Sequence, residues 1–380
     1  MANDLSAYIP KILAMGLVAL RKQAFLPMLV NRQYEREAGL KGSTITIPIA
    51  ADLTVADVSP AATPPSTSDV TPTTTTIALD QWKEVAFYLT DKDFQEIDEG
   101  MIPDQIERAM QALADYINTK ILAEYSNFYG YAGTAGTNPF ATSEAAALSA
   151  LQVLNEQNAP YANRFAVIDP AANAKALALR LFQDASWRAD GGKGLTEGML
   201  GRTLGADWYM HQAVPQHTLV AAGTILLDDS AARAVGLKVL HMDGATTKPG
   251  AGDIFTIAGD TQTYVVVSST TLVGTDTDVT FEPGLKAAIP AADGNEVVTF
   301  KATHRANLVL HRDAIAFATR PLDDGMANQL GTIIKAITDP LSKVTFRLEV
   351  RREHKRTRFS FDVLYGIKTV RRELGARLAG

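Results

Sequence analysis

Leu5, Tyr8, Ile9, Ile12, Leu13, Leu17 and Leu20 recur at helical spacing and lead into Arg21 and Lys22, which suit a helix C-terminus. Pro10 falls near the first turn, where its missing N–H costs little. The pattern predicts a short amphipathic arm docked on protein, because its polar face is too poor in Lys and Arg for a membrane anchor. Thr44, Ile45, Thr46, Ile47 and Ile49 then read as strand. Pro60, Pro64, Pro65 and Pro72 forbid regular central strands in the stretch that follows. Strand character returns from Thr73 through Ile77, Leu79, Val85, Phe87 and Leu89, so residues 43–90 predict a long two-stranded arm with a proline-rich tip. A disordered linker is the alternative. An isolated strand pair is marginal in water, so such an arm needs something to lie on.

Pro103 and Asp104 open the clearest helix, with Ile106, Met110, Leu113, Ile117 and Ile121 on one stripe. The spacing is heptad-like but stops at Tyr125, which favours a long packed helix over a coiled coil. A turn cluster, Phe128 to Phe140, precedes an alanine-rich helix from Ser143 to Gln157, an apolar strand Phe165–Ile168 stopped by Asp169-Pro170, and a helix Ala174–Asp184. Helix alternating with strand predicts an α/β core. From Gly223 to about Thr303 short β-rich runs are punctuated by Asp243-Gly244, Pro249-Gly250, Gly259-Asp260, Pro283-Gly284 and Asp293-Gly294. That rhythm predicts a small barrel or sandwich folding by itself around Phe255, Ile257, Val265, Val267, Val279, Phe281 and Val298. Asn307–Leu310 and Ala314–Ala318 return to the earlier apolar style, which makes the β unit look inserted. Val344 to Val350 and Phe359 to Tyr365 alternate on either side of His354-Lys355-Arg356, a hairpin.

Composition sharpens this picture little: 380 residues with 46% hydrophobic and 21% charged exclude a disordered or fibrous chain. No apolar run approaches a membrane span and no signal peptide is visible, so a soluble protein made in the cytoplasm is expected. With 0 cysteines, disulfides and thiolate sites are impossible. The net charge of -6 is uneven: Leu341 to Gly380 holds eleven Lys or Arg against four acids, leaving the remainder near -13. The basic hairpin suggests phosphate binding, but Glu349, Glu353 and Asp362 interleave its arginines, which favours charge pairing across strands or between copies over nucleic acid.

Chemistry is thin. The six histidines (211, 217, 241, 304, 311 and 354) form no HExxH or HxH pair, and satisfied structural histidines are the simpler reading. Gly191 to Gly194 lacks the spacing of a phosphate loop, Asp276, Asp278 and Glu282 lack that of a calcium loop, and no GxSxG elbow is present. Asp228-Asp229 and Asp323-Asp324 are the only adjacent acids of note and read as turns or caps. No cofactor, metal or catalytic residue is expected.

The order of parts, with the stretches GADWYM from Gly205, VPQHT from Val214, GDIFTIAG from Gly252, NLVLHRDA from Asn307 and FDVLYG from Phe361, resembles the major capsid proteins of tailed double-stranded DNA bacteriophages with the Hong Kong 97 fold, in particular the short-tailed Salmonella-phage coat type with an inserted domain. The resemblance implies an α+β fold divided as N-terminal arm 1–40, extended arm (E-loop) 41–90, spine helix and peripheral domain 91–127, first part of the axial domain 128–222, inserted β-barrel 223–303, axial return 304–340 and peripheral C-terminal hairpin 341–380. It implies a virion protein without enzymatic activity, assembling as hexamers and pentamers into an icosahedral procapsid and then a shell around DNA bound without sequence specificity. Its partners would be a portal protein and, since no long leading segment precedes the arm helix, a separate scaffolding protein. Ile12, Leu13, Leu17 and Leu20 are the expected scaffold contacts. Ile45, Ile47, Ile77, Leu79, Arg347, Arg351, Arg352 and Arg358 are the expected contacts between subunits. Some relatives weld subunits from a lysine on the extended arm. Ser43 to Trp82 contains no lysine, so cohesion here is expected to be non-covalent. A tail or decoration protein, and a carbohydrate-active enzyme, are the alternative readings.

Overall fold

The computed structural model describes residues 25–34, 44–50, 72–92, 101–183, 200–227, 233–289, 296–320, 322, 332–338 and 344–380. The amphipathic arm helix, the proline-rich tip and the Gly191 to Gly194 loop lie outside them. In chain order the elements are α1 (Leu26–Leu29), β1 (Thr44–Ile49), β2 (Thr73–Ala78), β3 (Gln81–Thr90), α2 (Met101–Ala123), β4 (Gly130–Gly133), α3 (Ala145–Glu156), β5 (Arg164–Ile168), α4 (Pro170–Leu177), α5 (Arg180–Gln183), β6 (Gly201–Thr203), β7 (Ala206–Met210), β8 (Gln216–His217), β9 (Ala222–Leu227) and β10 (Val239–Thr247). They continue as β11 (Ile254–Ile257), β12 (Tyr264–Ser269), β13 (Thr277–Glu282), β14 (Glu296–Phe300), β15 (His304–His311), β16 (Ile315–Arg320), β17 (Thr332–Thr338), β18 (Thr345–Glu353), β19 (Arg356–Thr369) and β20 (Gly375–Ala379). The result is a mixed α and β chain with few helices. No helix among the described residues is long and apolar enough to cross a membrane.

The chain divides into two compact units, one with Asn31–Leu113 and Ala316–Val370, the other with Ala24–Val30, Ala114–Ile315 and Arg371–Gly380. The division runs through α2, whose stripe Ile106, Met110, Leu113, Ile117 and Ile121 is buried along its length.

In the second unit a sheet runs β4-β20-β15-β5-β7-β6, with β8 beside β15. β5 is buried at every position, as befits a central strand of apolar residues covered on both faces. Asp169 ends it and caps α4, its carboxylate accepting from the amides of Ala171 and Ala172 with Pro170 at the first helical position. The expected helix start at Ala174 is therefore four residues late: Asp-Pro here starts a helix as well as stopping a strand. The chain then enters a closed barrel, β10-β13-β12-β11-β14-β9. Phe255 packs 5.5 Å from Tyr264 and 5.6 Å from Phe281 at its centre, with Ile257, Val279 and Val298 in the same cluster. The expected core residues Val265 and Val267 are not part of it. β12 points Tyr264 and Val266 inward, so Val265 faces outward onto Tyr129 and Ile254, and Val267 is 36% exposed.

In the first unit β1 and β2 form a two-stranded ribbon with Thr44 opposite Ala78 and Ile49 opposite Thr73. A second sheet runs β16-β19-β18-β17, with β3 also paired to β19. The expected single arm is thus two structures, because Val85, Phe87 and Leu89 belong to β3 and the hairpin sheet. Val350, Leu348, Phe346, Phe359, Phe361, Val363 and Tyr365 bury one face of that sheet. At Gly366 the backbone of β19 comes so close to the Ala78 carbonyl that a Cβ would collide with it. Two further boundaries differ: β16 and β17, within the stretch 304–340 expected as an axial return, group with the ribbon and hairpin, and Arg371–Gly380, including β20, leaves the hairpin for the other unit. Uniformly apolar strands carry no mark of which sheet they join.

Candidate assembly surface and buried junction

Two clusters of charged side chains stand out, one in each unit. The first grows from strand alternation: on one face of the hairpin sheet β3 contributes Trp82, Glu84 and Tyr88, β19 contributes Asp362, Ser360 and Arg358, and β18 contributes Arg347, Glu349 and Arg351. Arg347 grips Asp362 with two bonds, Nε to Oδ1 at 3.1 Å and Nη2 to Oδ2 at 2.5 Å, and Trp82 Nε1 donates to the same Oδ2 at 3.0 Å. This pair is nearly enclosed, with side-chain exposures of 12% and 7%. Arg358 meets Glu84, which also accepts from Ser360 Oγ at 2.5 Å. Arg356 binds Glu353 at 2.7 Å and lies 4.3 Å over the Tyr88 ring. On the opposite face Arg352 pairs with Asp91 at 2.5 Å, and the hydrogen bond from Arg352 holds the Asp91 carboxyl below its ordinary range.

Three of the four arginines expected at subunit contacts, Arg347, Arg352 and Arg358, are therefore already paired within the chain. Arg351 differs. It stands opposite Arg358 and Thr332, is exposed, and forms no ion pair among the described residues. Trp82, 59% exposed, and Tyr88, 46% exposed, widen the surface. The four apolar arm residues also have a core: Ile45, Ile47, Ile77 and Leu79 are buried against Ala316 and Ala318. The ribbon thus lies on residues of its own chain. Ile12, Leu13, Leu17 and Leu20 lie outside the described residues.

The second cluster sits in the other unit, where the barrel is rooted on the sheet. Asp253, wholly buried just before β11, accepts from His217 Nε2 at 3.0 Å and from the amides of Val220 at 3.3 Å, Ala221 at 3.1 Å and Gly250 at 2.8 Å. Burial alone would raise its carboxyl, but these bonds outweigh it and hold the group below the usual carboxylate range. The ionised Asp253 accepts the hydrogen bond from Nε2–H, and on the other side of the ring His217 Nδ1 is hydrogen-bonded to the Tyr125 hydroxyl at 3.2 Å. Arg377 of β20, fully buried, donates Nη1 to the Gly252 carbonyl at 2.7 Å and lies 5.1 Å over the Tyr125 ring. Burial pushes its guanidinium down to about 9, which leaves it charged at neutral pH. Gly252 has φ +92, and a Cβ there would meet Ser126 Cβ at 2.9 Å.

An Asp–His–hydroxyl chain invites a catalytic reading. Burial raises the Tyr125 hydroxyl above its ordinary range, the opposite of what an activated nucleophile needs. Among the described residues no group of three or more metal-ligating side chains occurs. The arrangement holds backbone segments together. Sequence reading missed its members as a group: His217 and Asp253 fall within the resemblance stretches, but no spacing rule links residues 36 apart, and Arg377 is farther still.

No family model matches this chain and no curated protein does. Among solved structures, a chain from Mycobacterium phage Che8 is similar over 92% of this chain and 88% of that one, at 17% identity and a TM-score of 0.51, which shows a shared fold. The capsid structure of the cyanophage P-SCSP1u aligns over 89% of this chain and 83% of that one, with 13% identity and a TM-score of 0.48. The mature capsid of bacteriophage PhiM1 aligns over 89% and 82%, with 11% identity and a TM-score of 0.47.

Proposed function

We propose that the chain is the major capsid protein of a tailed double-stranded DNA bacteriophage, a building block of its virion. Copies assemble as hexamers and pentamers into an icosahedral shell around the genome, with a separate scaffolding protein and a portal as partners, and the role is architectural instead of catalytic. The observation that carries the reading is the fold shared with a phage chain over 92% of this one, joined to the ordered sequence stretches that resemble the capsid family. The Hong Kong 97 architecture and the inserted character of the barrel belong to the same proposal. The hairpin sheet supplies a surface for contacts between copies: β3 presents Trp82 and Tyr88 outward, and Arg351 offers a cation with no ion pair of its own among the described residues. Sedimentation of the protein expressed with its scaffold tests the reading. Particles far heavier than the 40.8 kDa monomer are expected, and a boundary at the monomer alone overturns it.

A further inference from the structure

His304, at the start of β15, closes the buried junction on its sheet side. Its Nδ1 donates to the Ala302 carbonyl at 2.7 Å, so the neutral ring leaves a bare lone pair on Nε2, which is enclosed and has no partner. Around it stand Tyr131 of β4, with ring centroids 5.3 Å apart, His217 of β8, also 5.3 Å away, Arg377 of β20 and Asp253 of the turn before β11. Lys301 adds a further cation, 5.6 Å from the centre of the Tyr131 ring. A proton on Nε2 would place a second buried cation beside Arg377, whose Nε and Nη2 already lack partners. Asp253 has no acceptor capacity idle to answer it, because its two oxygens already take four bonds.

We infer that this junction is an acid-opened hinge: protonation of His304 releases the root of the barrel, residues 217–221 and 249–253, from the sheet while the barrel strands stay paired. The geometry separates the two parts. Asp253 ties the root segments to one another, the pairing of β8 with β15 and the bond from Arg377 to the Gly252 carbonyl tie them to the sheet, and the barrel is held by its own closed ladder and the cluster around Phe255. The pH window follows from burial, which pushes His304 from 6.5 down to about 4. The closed junction binds the proton more weakly than the opened one, so opening grows as pH falls from 6.5 towards 4, by up to roughly tenfold per unit and roughly 100-fold between pH 7 and pH 4.

Hydrogen exchange of the full chain from pH 7 to pH 4, corrected for the intrinsic pH dependence of exchange, tests it. The amides at the seam between root and sheet, Ala306 bound to the Pro215 carbonyl and Leu219 bound to Thr303 Oγ1, should lose protection by that factor while β11, β12 and β5 keep theirs, and His304→Phe should flatten the dependence to within a few-fold. Seam protection independent of pH overturns the inference, as does barrel strands opening in step with the seam. The wild-type series decides by itself if the variant does not fold.

Discussion

Arg347, Arg352 and Arg358 of the hairpin sheet each meet a carboxylate across a strand or at its end, whereas Arg377 in the other unit is enclosed and meets a carbonyl and a tyrosine ring. The same charge has different consequences in the two places. On the sheet, water screens most pairs, and each can be lost without disturbing the next. In the junction no water screens the charges, so removing one group strands several others. Of Arg347, Arg351, Arg352 and Arg358 on the sheet, Arg351 alone keeps an exposed charge with no ion pair among the described residues, while charge in the junction is tied up in holding the barrel to its support.

The sharpest way to break this contrast is Asp253→Ala. Two buried donors, the His217 ring and the Ala221 amide, and two part-buried amides lose their acceptor, and at about 1–3 kcal/mol for each orphaned buried group the loss should reach on the order of 4 kcal/mol, read as a large fall in the urea midpoint. A fall of under about 1 kcal/mol would mean that the junction behaves like the surface. Arg347→Ala comes next. Although it lies on the sheet, its pair is nearly enclosed, so a cost of about 3 kcal/mol is expected. Trp82→Phe removes one hydrogen bond to Asp362 and should cost about 1 kcal/mol. Arg352→Ala, which opens only an exposed pair, should leave the midpoint unchanged within error. Arg351→Glu should also leave it unchanged yet reduce particle yield, and normal particles from that variant would remove Arg351 from the contact surface.

Part of this contrast was legible in the sequence. The alternation of the hairpin strands was legible, but where the sequence suggests a three-residue tip, His354-Lys355-Arg356, the structure has a turn of two, His354 and Lys355, and it is this shorter turn that sets Glu353 opposite Arg356 and Arg347 opposite Asp362. The stripe of α2 was equally legible, because five apolar residues at helical spacing define a face without outside help. The register of β3 against β19 was not: residues 84 and 358 are joined by no local rule, and the partner of Arg358 emerged only from the sheet. In β12 the run Tyr264-Val-Val-Val is apolar at both parities, so alternation could not choose which side faces the barrel core. The junction was the least legible, since His217, Asp253, His304 and Arg377 come from four separate strands and turns. Each looks ordinary alone.

If cohesion between copies is non-covalent, denaturing electrophoresis of assembled particles should give a single band near 40.8 kDa, because the chain has 0 cysteines and Ser43 to Trp82 has no lysine. A ladder of species that survives boiling would contradict this. Electron microscopy of particles from cells expressing the chain with its scaffold tests the central claim most directly. Closed shells of uniform size built from hexamers and pentamers are predicted. Only single copies, open filaments or disordered aggregates would contradict the capsid reading.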